Sequence, residues 1–200
     1  MLNITRRFSL SKKSKAIIKK HKIKNGGILK IQSWDKISKK VKNEISKKLF
    51  SINGFKCTYC ERDLVGLTPG IDHLANKAAY PEFTFVPVNL FYSCNYCNSS
   101  SVKGQKETIN KLSPFYSHCD FKIVHPYYDN PDSEIFYQDI DRIFIDYARC
   151  TQKGKNTIDF FNLSSYIMTN IRSRQLILER LNPLLPSDEK KLINETIAYK

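Results

Sequence analysis

The sequence predicts an α+β fold in which a few short strands are set between helices. Three observations carry that prediction. Ile37, Val41, Ile45 and Leu49 recur every four residues and make one apolar helical stripe. Residues 70–74 and 90–93 are short stretches of strand length. Residues 164–182 and 187–198 return to helical spacing.

The elements follow in order. Residues 1–32 are basic and poorly patterned, broken at Gly26-Gly27, and are expected to form an arm or short extended elements. Residues 33–112 are expected to be a helix plus a motif-bearing core. Ser33 is the expected N-cap of that helix and Asn53-Gly54 its stop. A second helix is expected from about Asn95. Residues 113–200 are expected to form a C-terminal α/β extension packed on the core. Its first part, 113–150, is aromatic and acidic and is expected to form strands of a small sheet, with Gly154 marking a turn. The next helix carries Ile167, Ile171, Leu178 and Leu181 and ends at the sequence PLLP, and the last runs from Ser187 to Ala198.

The hydrophobic fraction of 41% and charged fraction of 26% are those of a globular protein. No apolar run approaches the roughly 18 residues of a membrane helix. The N-terminus lacks the apolar stretch of a secretory signal. The expectation is a cytoplasmic protein without membrane attachment. In that compartment six cysteines argue for a metal site rather than disulfides.

Charge is unevenly placed. Residues 1–50 hold 16 Lys and Arg against two acids, Asp35 and Glu44, and so carry the whole net charge of +14. A concentration of this kind is expected near a polyanion such as nucleic acid. A merely solvated basic tail is the bland alternative.

Cys57 with Cys60, and Cys94 with Cys97, form two C-x-x-C pairs separated by 33 residues. Two such knuckles suit one tetrahedral zinc ion, and four thiolates leave no open position, so the zinc is expected to be structural. The alternative is four unrelated buried thiols. A redox motif would call for a βαβ setting that the sequence lacks.

Between the knuckles lie Gly70, Asp72, His73 and Lys77, then Asn89. Asn98 follows the last cysteine directly, and Lys103-Gly104 come soon after. In order and spacing these residues resemble the HNH endonucleases, in the branch whose ββα-metal motif is flanked by zinc knuckles. The strong match covers residues 57–104. The resemblance implies a ββα-metal HNH core pinned by the four-cysteine zinc site, with additional N- and C-terminal helices. It implies that His73 is the general base activating water, and that Asp72 and Asn98 hold one Mg²⁺ or Mn²⁺. It implies that Asn89 braces the loop carrying His73, and that Lys77 and Lys103 contact phosphate. Adjacent strand residues point to opposite faces, so the strand should end or distort at Asp72-His73, with Gly70 permitting this.

The sequence departs from the family pattern in two places. Asn76 stands where the family often has proline, and residues 99–102 look like a small insertion before Lys103. The helix before the first knuckle, HPYYDNP at 125–131 and TIDFFNL at 157–163 extend the resemblance to the HNH proteins of Septu-type and retron-associated anti-phage systems. That resemblance implies a defence role and an ABC-type ATPase partner. His118, Cys119 and His125 are spaced irregularly and are expected to be packed or surface residues. Cys150 is expected to be a buried thiol, Arg172 and Arg174 to cover a helix surface, and Tyr80, Phe83 and Phe85 to be core.

The functional expectation is a metal-dependent endonuclease acting on DNA, with RNA as the other candidate. The alternative is a catalytically inactive, zinc-stabilised nucleic-acid-binding or adaptor module.

Overall fold

The computed structural model describes residues 1–198. Its helices are α1 (Lys12–Lys24), α2 (Ser33–Lys36), α3 (Lys39–Asn53), α4 (Pro131–Glu134), α5 (Gln152–Phe161), α6 (Tyr166–Leu181) and α7 (Ser187–Ala198). Two antiparallel pairs complete it: β1 (Gly70–His73) with β2 (Leu90–Ser93), and β3 (Ile109–Lys111) with β4 (Asp120–Phe121). The class is α+β.

Residues 1–32 are not an extended arm, since they carry helix α1. Ser11 caps α1 by accepting from the Ser14 N–H. Glu44 on α3 then accepts from the Ser11 N–H at 2.7 Å and from the Ser14 hydroxyl. Those bonds, the Ser14 hydroxyl first, lower the pKa of Glu44. Met1, Ile4 and Leu10 are buried, so this segment belongs to the core while its lysines stay outside.

The helix expected from Ser33 is interrupted. Ile37 is extended and Ser38 caps a fresh start, because its hydroxyl accepts from the Lys40 N–H. The apolar stripe survives the break, since Ile37, Val41, Ile45 and Leu49 are all buried. Gly54 ends α3 at φ +63°, a conformation that glycine adopts without strain. Helix α3 packs on β2, where Ser46 and the Tyr92 hydroxyl lie 2.6 Å apart.

Three other expectations need correction. No helix follows the second knuckle; residues 95–98 and 100–105 are turns. Asn and Ser side chains there compete for backbone groups, as when Ser99 Oγ accepts from the Val102 N–H. The two strands are therefore present without the helix of a ββα unit. Gly154 lies inside α5 instead of at a turn. A Cβ at that position would lie 2.0 Å from the Glu134 carbonyl oxygen, so glycine lets α5 approach α4 closely. Residues 113–150 contribute only β4 and an isolated Tyr137–Ile145 bridge to strand pairing, not the strands of a small sheet, whereas helix α6 forms as expected.

Behind β1 and β2 the C-terminal extension closes the core. Phe161 of α5 stacks on Tyr59 with ring centroids 4.2 Å apart. The Thr157 hydroxyl accepts from the Val124 N–H at 2.8 Å. His125 lies wholly buried among Phe91, Tyr116, Phe121 and Tyr128. Arg172 is half-buried and donates to the carbonyls of Ile143 and Leu163, tying α6 to the segments on either side of α5. No described helix is long and apolar enough to cross a membrane.

Candidate functional site

The two knuckles meet. Cys57, Cys60, Cys94 and Cys97 are buried, with their sulfur atoms within 4.8 Å of one another. Cys60 and Cys94 Sγ lie 3.8 Å apart. A tetrahedral ion with Zn–S bonds of about 2.3 Å needs an S···S edge of about 3.8 Å, so the four thiols fit zinc. Crowding divides their acidities. Hydrogen bonds from Cys57 first, then Cys60 and Cys97, pull the Cys94 thiol far down, whereas contact with Cys57 first pushes Cys97 far up. A divalent cation at the centre favours the thiolate at all four. Among the described residues this is the one group of three or more His, Cys, Asp or Glu placed to hold a metal. His118 is exposed, and Cys119 and Cys150 are separate buried thiols.

The inserted segment between the knuckles supplies β1, and the second knuckle follows β2 directly. Register sets Asp72 opposite Phe91 and His73 opposite Leu90. The strand ends at His73, and both residues line one cavity of about 390 Å³ with Asn98, Lys77 and Lys103. Asn89 lies outside its wall. Gly70 does not distort the strand. A Cβ there would lie 2.9 Å from Asn98 Nδ2, so glycine makes room for the Asn98 carboxamide.

His73 is held on two sides. Its Nε2 lies 3.1 Å from the Thr84 carbonyl oxygen, which can only accept, so Nε2 carries the proton and Nδ1 is the basic nitrogen. The Trp34 ring meets it edge-on, with centroids 4.7 Å apart. Burial is the main cause that lowers its pKa from 6.5 to about 4; the Asp72 charge opposes this, and Lys77 and Lys103 add to it. The imidazole is neutral at pH 7.

Asn89 is fully buried and clamps the chain just beyond His73. Its Oδ1 accepts from the Ala75 N–H at 2.7 Å, and its Nδ2 donates to the Ala75 and Phe83 carbonyls. The Tyr116 hydroxyl donates to the same Oδ1 at 3.0 Å and meets His125 Nε2 on its other side.

Asp72 is surrounded. The Tyr59 hydroxyl donates to Oδ2, and Lys103 Nζ lies 3.0 Å from Oδ1. Burial first, then the Asp72 charge, raises the Tyr59 pKa strongly, so Tyr59 keeps its proton for this bond. Lys103 is therefore buried against Asp72, in the wall of the cavity. Lys77 pairs across the cavity with Asp35 at 3.4 Å and stays partly exposed. As a set, Asp72 and Asn98 do not fit a divalent cation in this arrangement, because both Asp72 oxygens are engaged and one faces an ammonium.

Sequence reasoning missed Tyr59, Thr84, Trp34 and Tyr116. Tyr59 lies inside the first C-x-x-C, but nothing in that spacing marks an inner residue. Thr84 acts through its backbone, which no side-chain pattern reports.

No protein-family model matches the chain. The protein ea31 of Escherichia phage lambda is 34% identical over 87 residues, covering 44% of this chain and 25% of that protein. The chain thus spans about a quarter of the length of the curated relative it matches.

Proposed function

We propose that the cavity around His73 hydrolyses phosphodiester bonds of nucleic acid, DNA first and RNA second, as an HNH-type endonuclease. The state of His73 carries this reading. It is a neutral imidazole whose Nε2–H is committed to a carbonyl, leaving Nδ1 as a base in a cavity that also holds Lys77 and Asn98. Nδ1 takes a proton from water as the oxygen attacks phosphorus, and the P–O bond to the departing sugar oxygen breaks. That oxygen takes a proton from solvent. Lysine charge opposes the charge that builds on the phosphate. The resemblance also implies Mg²⁺ or Mn²⁺ on Asp72 and Asn98, which as a Lewis acid would stabilise that charge. The pair does not fit that ion in this arrangement, with Tyr59 on Asp72 Oδ2 and the Lys103 ammonium on Oδ1.

The test is cleavage of supercoiled plasmid and of single-stranded RNA by the zinc-loaded protein, with and without Mg²⁺ or Mn²⁺. His73→Ala is expected to lose about 10²–10⁴ in rate at unchanged zinc content. Equal cleavage by that variant overturns the reading.

The second reading, a non-catalytic zinc-stabilised binding module, is favoured by the closed Asp72–Lys103 pair. Wild-type protein that binds nucleic acid but cuts nothing under all these conditions supports it. The defence role and the ABC-type ATPase partner rest on the resemblance. Protection of a host culture from phage, lost in His73→Ala, tests the defence role, and co-purification with the ATPase tests the partnership.

A further inference from the structure

Lys103 is among the largest fully buried side chains of the protein, 2% exposed. Lysine is seldom buried to this degree unless its charge has a partner. Here Nζ donates to the His73 carbonyl oxygen at 2.7 Å and to Asp72 Oδ1 at 3.0 Å. With Tyr59 on Oδ2, neither Asp72 oxygen is left unengaged.

The chain around Lys103 is a closed turn. The Gly104 N–H donates to the Ser99 carbonyl at 2.8 Å, and the Lys106 N–H donates to the Lys103 carbonyl at 2.9 Å. Gly104 has φ +48°, and a Cβ there would lie 2.8 Å from the Ser100 carbonyl oxygen. The fold therefore delivers Lys103 to Asp72 from a tightly packed segment.

Mg²⁺ demands near-ideal octahedral oxygen geometry at about 2.0–2.1 Å. A buried ammonium on the same carboxylate repels such an ion at short range and low dielectric. We propose that Lys103 is the resident cation of this cavity, neutralising Asp72 and closing it to a divalent ion for as long as the pair stands. Lys77 with Asp35 repeats the pattern at 3.4 Å, but that pair is exposed and solvent-screened, so Lys103 is the deciding one. Two of the three N–H donors of Lys103 Nζ serve the His73 carbonyl and Asp72. The proposal deepens the hydrolytic reading and rests on it for the use of this charge.

Mn²⁺ binding to the zinc-loaded full chain, followed by the electron-spin-resonance signal of free Mn²⁺, tests it. Wild type is expected to show no saturable site in the submillimolar range. Lys103→Met should gain one site, with affinity raised about tenfold or more. Adding Asp72→Asn to that variant should remove it. Equal Mn²⁺ affinity in wild type and Lys103→Met overturns the proposal. If Lys103→Met does not fold, wild type and the charge-free Lys103→Met/Asp72→Asn pair decide. A saturable wild-type site that is lost in the pair overturns the proposal, and the lack of such a site upholds it. The readout is binding, so failure here leaves the His73→Ala cleavage result untouched, and the reverse also holds.

Discussion

Asn89 and Ala75 exchange two hydrogen bonds, Ala75 N–H to Oδ1 at 2.7 Å and Nδ2 to the Ala75 carbonyl at 3.2 Å. The pair fixes the chain two residues beyond His73. Asn89→Ala would strand these groups, the Phe83 carbonyl and the Tyr116 hydroxyl in a dry interior. The expected loss is about 2–4 kcal/mol in chemical denaturation. Cleavage should also fall, although Asn89 does not line the cavity. A variant with wild-type stability would show that the brace is dispensable.

Zinc is expected to be needed for folding. Small structural zinc sites supply roughly 10–16 kcal/mol apparent, at or above the net stability of a typical domain. Cys94→Ser, or chelation of the wild type, should yield unfolded or insoluble protein. Elemental analysis with circular dichroism checks this; a well-folded zinc-free wild type contradicts it.

Two glycines should respond differently. Gly154→Ala places a methyl group 2.0 Å from a backbone carbonyl oxygen, which has little freedom to yield. The expected cost is about 1–3 kcal/mol. Gly70→Ala meets only the tip of the Asn98 side chain, at 2.9 Å, which can swing away. It should cost less than about 1 kcal/mol yet lower cleavage by displacing that carboxamide. Thermal melts and rates separate the two, and a reversed order of stabilities refutes the packing argument.

His125 makes stability depend on pH. Burial first, then the charge of Lys153, lowers its pKa from 6.5 to about 3. Between those values the unfolded chain binds a proton that the folded chain refuses. Stability is therefore fully present above about pH 6.5 and declines as pH falls toward 3, by up to about 1.4 kcal/mol per unit from this residue. His73, lowered to about 4, acts in the same direction. Urea midpoints should drop between pH 7 and pH 5, and drop less in His125→Gln. Equal drops in both would remove His125 from the account.

The lysines of α1 are expected to supply nonspecific affinity for nucleic acid. Lys12, Lys13, Lys15, Lys19 and Lys20 are exposed, whereas Met1, Ile4 and Leu10 are buried. Deleting residues 1–32 would therefore damage the core. Replacing the five lysines by glutamine preserves it. Each lost phosphate contact should lower the slope of log affinity against log salt by about 0.9 on duplex DNA. An unchanged slope would assign this face to a protein partner.

By itself the sequence determined what short-range spacing encodes. Two C-x-x-C pairs set the knuckles, period four set the Ile37–Leu49 stripe, and the short stretches at 70–74 and 90–93 set β1 and β2 within one residue. It also named Asp72, His73, Asn98, Lys77 and Lys103, which line one cavity. Tertiary structure decided the rest, because the deciding partners lie far apart in the chain. Glu44 reaches back 33 residues to fasten the start of α1, so a segment that reads as an arm joins the core. Glu134 lies against Gly154, so a residue that reads as a turn marks a close approach of helices. Lys103 reaches the His73 carbonyl across 30 residues of chain. A lysine reads from sequence as a solvated charge; only the fold, by bringing a buried carboxylate within 3.0 Å of its ammonium, could make burial the lower-energy place for it.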